Sequence, residues 1–202
     1  MLTYVRYRTE VPSNKERPGL TREAWITAAF EVLMKSGPRA VAVEPLARVL
    51  GATKGSFYWH FDNREELFRC ALERWEEANT AEVIALIDRA DDDPRVRARA
   101  LIDLVTGSDF RRGELDMLVA ADNPDIATAL KRVTEARIDY VKRLLVAAGF
   151  TDDVARRRAF LAYSSYLGRM QLSYSVPETL PATSEELQLL ADEFMVVLFG
   201  PG

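Results

Sequence analysis

The 202 residues are 48% apolar, 29% charged and 9% aromatic with a net charge of −4, a composition that supports one or two compact domains and excludes a chain disordered throughout. A single histidine, His60, and a single cysteine, Cys70, exclude an intramolecular disulfide and the multi-His/Cys clusters of zinc sites, so no metal and no cofactor is expected. No run of about 18 apolar residues occurs and the opening MLTYVRYRTE lacks an apolar signal core, so a cytoplasmic protein is expected.

Residues 1–19 hold Pro12, Pro18, Gly19 and the bases Arg6, Arg8, Lys15 and Arg17, and read as a flexible basic arm. From Thr21, a natural N-cap, the spacing of Ile26, Ala29, Phe30 and Leu33 predicts a first helix, which Gly37-Pro38 stops. Pro45 and Gly51 bracket a short second helix that includes Leu46, Ala47, Val49 and Leu50. Thr53 caps a third, predicted to run through Phe61, with Phe57 and Phe61 inward and Lys54, Gly55, Tyr58 and Trp59 on the other face. Asn63 with Glu66 resembles a capping box and opens a fourth helix, extended to about Asp88, whose inner face is Leu67, Phe68, Ala71, Leu72 and Trp75.

Asp93-Pro94 is better explained as a cap and helix start than as part of a calcium loop, and Arg95, Arg97 and Arg99 spread around that helix as solvated charges. A short helix over 109–121 follows, and then a long one opened by Asn123-Pro124, striped by Ile126, Leu130, Val133, Tyr140, Val141 and Leu144, and stopped by Gly149. The next, 151–175, is apolar nearly all round from Phe160 to Met170 and is expected to be buried on several sides. The last covers 184–199. With no period-2 strand and no internal repeat, the expected fold is all-α with about nine helices: arm 1–19, a three-helix helix-turn-helix domain 20–66, and a larger helical domain 67–202.

Charge is unevenly shared. The first 68 residues hold 10 basic and 8 acidic side chains and the rest 17 and 23, so only the first third suits a phosphate backbone. There the third helix carries the candidates. Lys54 can meet phosphate or guanine, Gly55 lets the backbone approach the groove, and Thr53 and Ser56 offer hydroxyls. Tyr58 can reach a phosphate through its hydroxyl, Trp59 offers an indole N–H and a broad face, and His60 is polar. Arg64, a cation in a helix's first turn, opposes the local dipole, so a nearby phosphate would give its placement a reason. Lys-Gly-Ser is not the Gly-Lys-Ser order of a phosphate-binding P-loop, and no strand precedes it.

The string Leu50-Gly51-Ala52-Thr53-Lys54-Gly55-Ser56-Phe57-Tyr58-Trp59-His60-Phe61-Asp62-Asn63-Arg64-Glu65-Glu66-Leu67 resembles the recognition-helix signature of the TetR family of bacterial transcriptional regulators, over about Leu20 to Trp75. The chain departs from that pattern at Val43, Glu44 and Pro45: base contacts from the second helix are doubtful there and Glu44 would repel a phosphate, with Arg48 as a compensating base. The basic arm could reach an adjacent minor groove.

The resemblance implies a homodimeric regulator, usually a repressor, on a near-palindromic operator, released by a small ligand in the larger domain. Leu167, Leu187, Leu190, Phe194, Val197 and Leu198 are then candidates for the dimer interface. Candidates for a ligand cavity are Trp75, Met117, Tyr140, Phe160, Tyr163, Tyr166 and Met170, a lining that favours a mainly apolar effector. Two alternatives use no DNA. One is a protein-binding helical module presenting Tyr58 and Trp59; the other is a pocket enzyme, for which no catalytic constellation can be assembled.

Overall fold

The computed structural model describes residues 20–107 and 112–200. The expected arm at 1–19 and the start of the helix expected from 109 lie outside the described residues. Every regular element among those described is helical. The described residues divide into two compact units, one within Met1–Trp75 and Arg111–Ala120 and one within Glu76–Phe110 and Ala121–Gly202.

In the first unit, α1 (Arg22–Ser36) starts where Thr21 accepts the Ala24 N–H at 3.2 Å, and it buries Trp25, Ala29 and Leu33 completely. Gly37, at φ +77°, turns the chain into a 3-10 turn, Pro38–Ala40. The second helix, α2 (Val43–Val49), begins two residues before Pro45, which is tolerated because a first-turn N–H has no intrahelical acceptor to lose. Helix α3 (Lys54–Phe57) is shorter than its periodicity predicts: Tyr58 to His60 form a turn, held by His60 and Phe61 N–H groups that both donate to the Phe57 carbonyl, at 2.9 and 3.1 Å. Helix α4 (Arg64–Glu76) has a reciprocal cap, in which Asn63 accepts the Glu66 N–H at 2.9 Å and the Glu66 carboxylate accepts the Asp62 N–H at 2.8 Å.

The second unit starts with a π-helical segment, Glu77–Ala81, that leads without a break into α5 (Glu82–Asp88). Arg137 accounts for the widened turn, since its guanidinium donates to the Asn79 carbonyl and the Thr80 hydroxyl, both at 3.1 Å. Helix α6 (Pro94–Thr106) is capped by Asp93, which accepts the Arg95 N–H at 2.7 Å. The chain then passes through α7 (Arg112–Val119), which belongs to the first unit, before α8 (Pro124–Ala147), α9 (Asp152–Ser175), a 3-10 turn (Pro177–Thr179) and α10 (Ser184–Phe199). With α4, the π segment and α5 counted as one run, there are nine helices among the described residues. The core of the second unit joins Ile87, Ile102, Tyr140, Leu144, Leu145 and Leu198 over the small Ala155, Ala159 and Ala191.

Arginines do structural work that their spacing does not disclose. Arg97 and Arg99 are not free solvated charges: Arg97 donates to the Asp88 carbonyl at 2.8 Å and to that of Asp91, and Arg99 bridges Asp103 at 2.8 Å to Asp192. Arg169 donates to the Val105 carbonyl at 2.8 Å and to that of Thr106, and Arg158 to those of Leu198 and Gly200 at 2.7 and 2.8 Å. Apart from that of Asp91, in the loop before α6, these carbonyls lie at or just past the C-terminal ends of α5, α6 and α10, where intrahelical donors run out and charged ones replace them. Helix α9 also differs from expectation. Within the chain, Phe160 and Leu161 stand 60% and 59% exposed, and only Ala155, Ala159 and Met170 of this helix are buried. No helix among the described residues is long and apolar enough to cross a membrane.

Candidate nucleic-acid interface

The sequence 50–67 folds into a small, rigidly backed face. Phe57 and Phe61 are 0% and 2% exposed, their rings stacked with centroids 5.4 Å apart, while the Trp25 ring meets Phe57 edge-on at 5.3 Å. Behind them Arg22 ties α1 to α4: its guanidinium lies over the Phe61 ring at 4.8 Å and donates to Glu66 at 3.0 Å and to the Cys70 sulfur at 3.1 Å. The Asp62 N–H, and after it Arg22, hold the Glu66 carboxyl below its ordinary value. The buried aromatic pair therefore fixes which side of residues 53–60 faces outward.

That outward side carries the predicted residues in three different conditions. Tyr58 and Trp59 are 57% and 87% exposed, and Trp59 is the most exposed of the large apolar side chains among the described residues. The Tyr58 ring packs edge-on against Phe57 at 5.2 Å, which supports its base while its hydroxyl end faces solvent. Thr53 and Ser56 are occupied with local structure: the Thr53 hydroxyl accepts the Ser56 N–H at 3.1 Å and the Ser56 hydroxyl donates to the Thr53 carbonyl at 2.8 Å. Gly55 is exposed, its nearest non-neighbouring atom to a Cβ position being Thr53 Oγ1 at 3.7 Å, and His60 is half-buried with its ring 6.5 Å from that of Phe61.

Arg64 has an intramolecular reason for its placement that the sequence did not disclose. Its Nε donates to the Val41 carbonyl at 2.7 Å, its Nη2 to that of Pro38 at 3.3 Å, and its guanidinium lies 5.3 Å from the Phe68 ring centre. Lys54 also has a partner, Glu44 on α2, at 3.1 Å. The hydrogen bond to that carboxylate raises the Lys54 pKa, so the ammonium is kept charged. In the sequence Glu44 reads only as a repeller of phosphate, with nothing to link it to Lys54. Val49, which the sequence places with the apolar set of α2, is 77% exposed.

The remaining candidates divide between the units. Trp75 and Met117 are buried in the first unit, whereas Tyr140 and Met170 are buried in the second. Tyr163 and Tyr166 are half-buried there, rings stacked at 6.0 Å, with the Tyr163 hydroxyl 3.1 Å from Thr134 Oγ1 and Arg137 over Tyr166 at 5.5 Å. Phe160, expected beside them, lies on the surface of the chain. Of the candidate dimer residues, Val197 is 68% exposed, Leu198 is buried, and Leu167, Leu187, Leu190 and Phe194 are half-buried. Leu189 and Val196 add exposed apolar surface on α10, at 59% and 65%.

Residues 26–71 match the model of the tetR family of bacterial regulatory proteins. The chain is 33% identical over 69 residues to the HTH-type transcriptional regulator TtgR of Pseudomonas putida, a match covering 34% of this chain and 33% of that protein. It thus spans about a third of the length of that curated relative. Among solved structures, the reduced form of NemR from E. coli superposes with a TM-score of 0.71 at 16% identity, covering 86% of this chain and 94% of the other. A TetR transcriptional regulator from Legionella pneumophila does so at 0.67 and 17%, covering 90% and 97%. The sequence match to the tetR family model is thus carried by residues 26–71, while nearly the whole chain shares the fold of these solved structures.

Proposed function

We propose that the protein is a cytoplasmic transcriptional regulator that binds duplex DNA through the face formed by Thr53, Lys54, Gly55, Ser56, Tyr58, Trp59 and His60. The observation that carries this reading is the exposed Tyr58-Trp59 pair beside Lys54, held outward by the buried Phe57 and Phe61. A phenol, an indole N–H and an ammonium along one short helix and the turn that follows it suit phosphate oxygens and base edges. Arg64 enters as a brace for the 3-10 turn and the Val41 link that follows it, with phosphate contact as a second role. We further propose a homodimer, supported by the exposed apolar residues of α9 and α10, which would match two recognition helices to the half-sites of a near-palindromic operator. Repression, and release by a small and mainly apolar effector bound in the second unit, complete the proposal; an effector need only bind one arrangement of the dimer better than the other.

Fluorescence anisotropy tests the central claim, with DNA from upstream of the protein's own gene against a scrambled duplex over a salt series. Saturable, selective binding that weakens steeply with salt is expected, because each neutralised phosphate releases a counterion. Lys54→Ala and Tyr58→Ala are expected to weaken binding while the oligomeric state stays unchanged. Undiminished affinity in both variants would remove the assignment of this face.

A further inference from the structure

The Lys54–Glu44 pair sits on the face proposed to meet DNA, yet it is arranged against tight DNA binding. Both side chains are largely exposed, 57% for Lys54 and 71% for Glu44, and the 3.1 Å contact joins α2 to the N-terminus of the recognition helix. An exposed pair of this kind contributes little to stability, so packing does not require an acid at position 44. Its electrostatic consequence is larger. A duplex seeking the Lys54 ammonium as a phosphate partner must displace a carboxylate already hydrogen-bonded to it, and that carboxylate then faces the phosphates as a like charge. The first helix of a helix-turn-helix crosses the DNA backbone, which brings α2 and Glu44 to the phosphates in any register.

We propose that Glu44 is a specificity-setting residue that weakens sequence-independent binding by holding Lys54 in an ion pair, which favours a site supplying base contacts over one that offers phosphates alone. The inference rests on the DNA-binding reading above. Affinity for arbitrary duplex is mainly a matter of counterion release, whereas affinity for a cognate site adds base contacts; a carboxylate that withholds one cation therefore lowers the first by a larger share than the second. The net charge of −4 likewise gives the chain as a whole no long-range attraction for DNA.

The test uses the full chain and three variants, Glu44→Gln, Lys54→Ala and the double variant, with circular dichroism to confirm that each folds. Anisotropy is measured on scrambled and upstream duplexes from about 50 to about 200 mM salt. One freed cation that neutralises one more phosphate steepens the salt slope by about 0.9, equivalent to about fivefold tighter binding of scrambled DNA near 0.15 M salt. Glu44→Gln is expected to show both changes, to narrow the ratio between upstream and scrambled DNA, and to lose the slope change when Lys54 is also Ala. An unchanged slope and affinity for scrambled DNA would overturn the proposal. So would a selective loss on upstream DNA, which would make Glu44 a reader of a base such as cytosine through its amino group. If the unaltered protein binds neither duplex, the DNA-binding reading falls and this proposal with it; if it binds and Glu44→Gln binds identically, only this proposal falls.

Discussion

Gly113 offers the sharpest structural test, because it is where α7 meets α1. A Cβ added there would lie 1.9 Å from the Leu33 carbonyl oxygen, 2.7 Å from the Met34 carbonyl carbon and 2.8 Å from Met34 Cα. The first contact falls short of the 3.0 Å below which Cβ atoms essentially never approach by about 1.1 Å, and all three atoms are backbone, so no side chain can rotate aside. Gly113→Ala must therefore push α7 off α1. Overpacking of this kind costs about 1–3 kcal/mol, and the upper end applies where only whole helices can move. The better helix propensity of alanine returns about 1 kcal/mol, leaving a net loss of about 2 kcal/mol. For a chain of this size that lowers the melting midpoint by about 4–8 °C, read by circular dichroism. Gly55→Ala is the control: its Cβ would meet only Thr53 Oγ1 at 3.7 Å, an ordinary contact, so its midpoint is expected to hold or rise. If Gly113→Ala melts with or above the parent while Gly55→Ala behaves as stated, the packing of α7 on α1 described above is wrong.

Two further expectations concern acid and assembly. The Glu66 carboxyl, held below its ordinary 4.5 chiefly by the Asp62 N–H and then by Arg22, binds a proton more weakly in the folded chain than in the unfolded one. Its contribution is thus present above the unfolded value and lost as pH falls through the lower folded one, so Glu66→Gln should flatten the decline of melting midpoint below about pH 4.5; an equally steep decline would show that Glu66 does not contribute to it. If a second copy covers the exposed apolar residues of α9 and α10, Val197→Glu and Phe160→Glu should each convert a dimer to a folded monomer in size-exclusion chromatography with light scattering. Retention of the dimer in both variants would place the interface elsewhere.

What the sequence discloses follows the range of the interaction. Thr21, Thr53, Asn63, Asp93 and Asn123 cap helices in the structure as local chemistry predicts, because a side-chain oxygen and the N–H it accepts are two or three residues apart. Phe57 and Phe61 declare themselves core through their spacing, and they are buried. The same spacing overstates α3, since a Phe61 N–H that still donates to the Phe57 carbonyl preserves the i, i+4 relation after the helix has given way to a turn. Periodicity records which side a residue faces and is silent about whether the turn carrying it is helical.

Interactions made across long stretches of chain leave no such mark. The π segment at Glu77–Ala81 depends on Arg137, which arrives from more than fifty residues away to donate to Asn79 and Thr80. The return of α7 to α1 depends on a glycine at position 113, which in sequence is only a poor helix former. The arginines show the point most clearly, because a cation in a helical pattern reads as solvated surface by default. Arg64, Arg97, Arg158 and Arg169 instead donate to main-chain carbonyls, three of them at helix ends. For the candidate DNA face this redistributes the positive charge: Arg64 and Arg22 are committed to holding the first unit together, and Lys54, paired with Glu44, lies beside the exposed Tyr58-Trp59 surface. With these two arginines turned inward, the state of Lys54, and hence of the Glu44 carboxylate that holds it, bears directly on how the face meets phosphate.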